Sequence, residues 1–282
     1  RLWVSGYKDD KESRRIWIEE TDINPDRIIN FDKKENFWEM GKTGPCGPCT
    51  EIHYYNGKDI KKQNSSGVNI DSEYREFWNL VFMQYNRDEN GKLHDLPEKH
   101  VDTGLGLERV SAILNNENSN YDTDLFRIII EDIEKLSKVK YDNAESGIPH
   151  RVIADHIRML SFSIADGVMP SNDGKGYVVR RVLRRASRFG RKIGMNKEFL
   201  YKLVDSVIKT MGSFYPELIE KRDHIIKVIQ LEEESFGKTI DRGIDTFNNI
   251  INQLGSSKQI SGKDAFKLYD TYGFPLDLTE DI

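Results

Sequence analysis

Apolar residues in this chain change rhythm partway along. Before about residue 110 they alternate or run together as in strands, and from Ile148 onward they recur at helical spacing. Leu2 to Val4 reads as a strand, and Asp9-Asp10 caps a helix running through Ile16 and Trp17 that Asn24-Pro25-Asp26 ends. Thr50 to Tyr55 alternates, with Glu51 and His53 on one face and Ile52 and Tyr54 on the other. Polar residues 56–72 read as a surface insertion. Glu73 to Arg87 carries Phe77, Trp78, Leu80, Val81, Phe82, Met83 and Tyr85, a run continuous enough to predict a buried central strand. Asn90-Gly91 is a hairpin signal, after which the chain returns toward Val101.

The second half predicts helices over 150–164 and 176–193, a long charged helix over 216–254 with weak points at Gly237 and Gly243, and a last helix over 263–269 stopped by Gly273 and Pro275. Hairpin-linked strands followed by helices predict an α+β chain: an antiparallel-sheet domain over 1–143, then an all-helical domain over 144–282.

Composition narrows the reading. The 282 residues are 32% charged with a net charge of -5, so any attraction to a polyanion must come from local clustering. No apolar run approaches a membrane span and the start shows no signal-peptide pattern, so the expectation is a soluble, cytoplasmic protein with no membrane partner. The two cysteines both lie in Cys46-Gly47-Pro48-Cys49, which excludes a disulfide scaffold and fits a reducing compartment. Opening on Arg1 and a strand, without Met, suggests a piece of a longer protein.

The stretch Val101-Asp102-Thr103-Gly104-Leu105-Gly106-Leu107-Glu108-Arg109-Val110 reads as a strand passing into a helix. Its glycines let backbone lie close against a flat guest, and a guanidinium at the junction can stack on a base or fork onto phosphate. Arg109 occupies the place of the third glycine of a dinucleotide fingerprint, so that motif is excluded. Cys46 to Cys49 has the letters of a thioredoxin site, but a strand rather than a helix follows. With His53 it has the spacing of only part of a zinc shell. The favoured reading is a rigid loop walling a pocket. Between Lys175 and Lys192 lie Arg180, Arg181, Arg184, Arg185, Arg188 and Arg191 with no acidic residue. Two readings stand for this row: a grip on a polyanion, or a face bridged to the acidic residues of 217–234. Asn172, in the turn ahead of it, either faces whatever the arginines hold or caps the helix.

Taken together, Phe37 to Gly41, Gly44 to Ile52, Phe77 to Tyr85, Asp102 to Arg109, Ala165 to Arg181 and Leu268 to Pro275 resemble the alanyl-tRNA synthetases, a family of class II aminoacyl-tRNA synthetases. The resemblance spans almost the whole chain in the family's order. It implies ATP-dependent activation of L-alanine with Mg2+, then transfer to tRNA(Ala). It places Gly104, Gly106 and Arg109 on ATP, with Arg109 against the adenine, and Trp38, Asn79, Asp102 and Gly104 around alanine. Glu51 becomes a pocket residue or Mg2+ ligand. Asn172 and Asp270 would flank the acceptor-stem G·U pair, with Arg180, Arg181, Arg184 and Arg188 on the backbone. Nothing resembles class II motifs 1 and 2 or the zinc-binding editing domain, which implies an internal fragment. A rival reading is a non-catalytic RNA-binding helical module.

Overall fold

The computed structural model describes residues 1–253 and 260–272. They fall into two units, Arg1–Thr123 and Asp124–Ile282.

The first unit is built on strands β1 (Leu2–Tyr7), β2 (Ile28–Phe31), β3 (Phe37–Glu39), β4 (Gly44–Tyr55), β5 (Tyr74–Arg87) and β6 (Leu93–Leu105), with helices α1 (Lys11–Glu20), α2 (Lys33–Asn36) and α3 (Leu107–Leu114). The sheet order is β2-β1-β4-β5-β6, with β3 added to β4. Every pairing is antiparallel except β1 with β2, so the sheet is mixed rather than purely antiparallel. The reason is α1, which carries the chain back so that β2 runs alongside β1 in the same direction. Asp10 caps α1 by accepting from the Ser13 N–H at 3.0 Å, and Trp17 anchors the helix to the sheet by donating to Thr50 Oγ1 at 3.0 Å.

Three expectations change here. Cys46 to Cys49 is not a loop: it lies inside β4, at a bulge where the register with β5 slips. Only glycine fits at position 47, because a Cβ there would stand 1.9 Å from the Phe82 carbonyl oxygen. Strand β5 is central, flanked by β4 and β6, yet most of its residues are only half-buried. Finally, residues 56–72 are not all surface, since Val68 packs with Trp3, Tyr55 and Tyr74 in a buried cluster at one end of the sheet.

The second unit is all helix: α4 (Asp124–Ser137), α5 (Ile148–Ala165), α6 (Gly174–Lys192), α7 (Val204–Met211), α8 (Pro216–Glu220), α9 (Arg222–Gln253) and α10 (Gly262–Tyr272), with short 3-10 turns between some of them. Buried Ile153, Ile157, Leu160 and Ile164 make α5 the spine, against which α4, α6, α7, α8 and α9 pack. Helix α4, which lies within the expected first domain, belongs to this unit through its buried Ile129, Ile130 and Ile133. The long helix is two, separated at Lys221, and α9 runs through both Gly237 and Gly243 because Phe236, Ile240 and Phe247 on one face bury into a cluster with Leu268 of α10. The expected stop at Gly273 and Pro275 lies outside the described residues.

Candidate functional site

In the first unit, four strands place one residue each in a single row. Ser5 of β1 pairs with Glu51 of β4, Glu51 with Asn79 of β5, and Asn79 with Gly104 of β6. Residues in register point to the same face, so these form one line across the sheet. Glu51 is its hub. Its Oε2 accepts from Ser5 Oγ at 2.8 Å, and its Oε1 accepts from Asn79 Nδ2 at 3.2 Å. Asn36 of α2 donates to Ser5 Oγ at 2.9 Å, and His53 Nε2 lies 3.2 Å from Ser5 Oγ and 3.4 Å from Glu51 Oε2. Ser5, Asn36, Glu51 and His53 are all buried. Burial pushes the Glu51 carboxyl up, but hydrogen bonds from His53 and Ser5 outweigh it and hold the group below the ordinary carboxylate range.

Glu51 also fixes its neighbour. A carboxylate only accepts, so the Asn79 amide must turn its N–H2 toward Glu51, which leaves Oδ1 for something else. Asn79 Oδ1 is buried and finds no partner among the described residues. Asp102 pairs with Val81, two residues beyond Asn79, and so lies on the same face; its carboxylate is exposed and accepts from the Thr103 N–H at 2.8 Å. Gly104 leaves open space opposite Asn79. Arg109 sits in the first turn of α3, where its Nη1 donates to the Glu76 carbonyl at 2.8 Å and to Glu76 Oε2 at 3.1 Å, with 46% of the side chain exposed. Trp38 stands elsewhere in the register, on β3 opposite Gly47.

Both Glu51 oxygens are thus occupied by neutral hydrogen-bond donors, a setting that does not fit a Mg2+ ligand. The cysteines are likewise unsuited to redox work. Both are buried, and burial, with Glu51 close by, pushes the Cys49 thiol up to about 12, opposite to what a reactive thiol needs. Among the described residues no group of three or more His, Cys, Asp or Glu could hold a metal ion, and none of the helices is long and apolar enough to cross a membrane.

In the second unit the arginine row divides. Glu232 of α9 takes Arg180 at 3.0 Å and Arg184 at 3.1 Å. Arg191 pairs with Asp241 at 3.1 Å, and Arg185 Nη1 lies 3.1 Å from His156 Nε2. Bridging to the acidic helix therefore holds for part of the row. Arg181 is exposed beside Tyr177, 5.8 Å from the ring centre. Arg188 is half-buried. Asn172 does not cap α6, whose N-cap is Asp173; its Oδ1 accepts instead from Arg180 Nη1. Asp270 falls on α10, but its side chain lies outside the described residues.

Ser5, Asn36 and Glu232 were not singled out from the sequence. Alternation places Ser5 inside a strand, but nothing local marks its partner forty-six residues away.

An antiparallel run of strands carrying a row of amide, carboxylate and glycine, passing into a helix with arginine at the junction, defines a class as well as a geometry. The family described as "tRNA synthetases class II (A)" matches residues 1–282, and the chain belongs to it. Among curated proteins, the alanine--tRNA ligases of Chlorobium chlorochromatii and Chlorobium phaeovibrioides are each 50% identical, covering 99% of this chain and 32% of their own length. That of Legionella pneumophila is 48% identical, over 100% of this chain and 32% of its own. The chain spans about a third of the length of the curated relatives it matches.

Proposed function

We propose that this chain is part of an alanine--tRNA ligase, holding the amino-acid pocket and an acceptor-stem surface of an enzyme that makes alanyl-adenylate and charges tRNA(Ala). The observation that carries the first half is the row Ser5, Glu51, Asn79 and Gly104 with Asp102 on the same face. An ammonium needs acceptors, and this face offers the Asp102 carboxylate and the Asn79 carbonyl, the latter because Glu51 holds the amide's other end. The expected reaction begins as the alanine carboxylate attacks the α-phosphorus of ATP, forming a P–O bond while pyrophosphate departs. A 3′-terminal ribose hydroxyl then attacks the acyl carbon, and AMP leaves. Such catalysis is mostly orientation and charge stabilisation. Arg109, tethered at Glu76 but half-exposed, is free enough to lie against an adenine, with Gly104 and Gly106 keeping the adjoining backbone bare. ATP and Mg2+ are what class II synthetases use, and Mg2+ would sit away from Glu51. Trp38 is read as a wall of the methyl pocket; such a wall excludes glycine poorly, since a missing methyl is worth only ~1–3 kcal/mol.

The helical unit is read as the tRNA-recognition part. Asn172 faces the acceptor stem, Asp270 is its expected companion, and Arg181 contacts the backbone, with Arg188 alongside. The cytoplasm is the compartment this implies. The test is alanine-dependent pyrophosphate exchange by the full-length protein. Asn79→Ala and Asp102→Asn are each expected to raise the KM for alanine at least tenfold, one hydrogen bond to a charged group, while leaving the KM for ATP in place. Unchanged alanine KM in both would overturn the assignment.

A further inference from the structure

We infer that Arg180 is a positioning residue for Asn172: held by Glu232, it takes the amide carbonyl and leaves the amide N–H2 as the group offered to an RNA minor groove. The inference rests on reading Asn172 as facing RNA. A guanidinium has donors and no acceptor, so the Asn172 atom against Arg180 Nη1 must be the oxygen. An amide whose oxygen is taken presents its two N–H bonds outward, which suits acceptors such as base edges and 2′-hydroxyl oxygens.

Arg180 is itself fixed. Its Nε stands 3.0 Å from Glu232 Oε1, and its Nη2 donates to Glu232 Oε2 at 3.2 Å. The same carboxylate receives Arg184 Nε at 3.2 Å and Nη2 at 3.1 Å. Only 10% of the Glu232 side chain is exposed, against 22% for Arg180, so the brace lies under the surface and the asparagine on it. The turn is rigid beneath the amide as well. A Cβ at Gly176 would stand 2.2 Å from the Met169 carbonyl oxygen, and Ser171 Oγ donates to the Asp173 carbonyl at 2.8 Å. What such a turn leaves undecided is the torsion that says which end of the amide faces out, and Arg180 decides it. Arg180 and Arg184 therefore orient, and Arg181 grips.

The experiment uses the full-length synthetase with acceptor-stem hairpins carrying G·U or G·C, measuring the charging ratio and the salt dependence of binding. Asn172→Ala is expected to lower the G·U to G·C ratio about tenfold, the worth of one hydrogen bond. Arg180→Met should lower the ratio comparably and leave the salt slope unaltered. Arg181→Met should leave the ratio and reduce the slope by about one, as loss of a phosphate contact does. Glu232→Gln, which keeps side-chain size, should lower the ratio and steepen the slope, because Arg180 and Arg184 are released toward phosphate. A helix that is merely destabilised would not steepen it. If Asn172→Ala lowers the ratio and Arg180→Met does not, or if Arg180→Met reduces the slope by about one, the positioning role is refuted while the reading of Asn172 stands. If Asn172→Ala leaves the ratio alone, both fall.

Discussion

Replacing Glu51 by Gln tests how the amino-acid pocket is organised. The carboxylate accepts from Ser5 Oγ at 2.8 Å and Asn79 Nδ2 at 3.2 Å. Glutamine supplies one oxygen and one N–H2, so one of those donors must meet another donor. Ser5 is poorly placed to yield, since its oxygen already accepts from Asn36 at 2.9 Å with His53 Nε2 at 3.2 Å. Asn79 is the residue expected to turn, carrying its oxygen to the N–H2 of the introduced glutamine and its own N–H2 into the alanine site. Losing a hydrogen bond to a buried charge costs about 1.5–3 kcal/mol, and the urea midpoint should fall accordingly. For the substrate the change is from acceptor to donor against an ammonium, about 1.4–3 kcal/mol, or a ten- to hundredfold rise in alanine KM. Pyrophosphate exchange should show this rise with kcat and the ATP KM far less affected.

The substitution also has a pH signature. Because the folded carboxyl is held below its usual range, its contribution to stability is present above the unfolded pKa of about 4.3 and disappears as pH falls through the folded value. Glu51→Gln removes that acid-sensitive component, so wild type and variant should converge in stability under acid. An unaltered alanine KM in a folded Glu51→Gln protein would refute the claim that Glu51 sets the Asn79 amide.

Glu233 should behave in the opposite sense. Burial pushes its carboxyl up to about 7, while its Oε2 accepts from the Phe199 and Leu200 N–H groups at 3.1 and 3.0 Å, with Glu198 and Lys202 as the nearby charges. A raised folded pKa gives stability that is whole below the unfolded value and lost as pH rises through about 7. Glu233→Gln should therefore gain on the order of 3 kcal/mol over wild type at pH 8 and nothing at pH 4, read by urea unfolding; equal curves at both would contradict this. Gly176→Ala, whose Cβ would meet Met169 and Ser171 at 2.2 and 2.3 Å, should cost about 1–3 kcal/mol in a thermal melt. Neither Cys46 nor Cys49 should react with a thiol reagent at pH 7 until urea opens the sheet, because both thiols are buried and raised in pKa; rapid labelling of the native protein would count against the packing of β4.

Local signals carried much of this protein on their own. Alternation through Thr50 to Tyr55 placed Glu51 and His53 on one face, the Asp10 cap started α1, Asn90-Gly91 turned the hairpin, and Gly106 handed β6 to α3 with Arg109 at the junction. These depend on neighbours a few residues apart, and so they are written in short stretches of chain. Partners far apart in sequence are another matter. Which donor meets Glu51, which carboxylate meets Arg180, why Cys46 to Cys49 is strand rather than loop, and why β2 runs parallel to β1 follow from strand register and helix packing. The same physics explains α4, which reads neutrally in sequence and is assigned by the isoleucines it buries against α5. An amide shows its direction only when its partner is in place, so the orientation of Asn79 and Asn172 belongs to the tertiary structure.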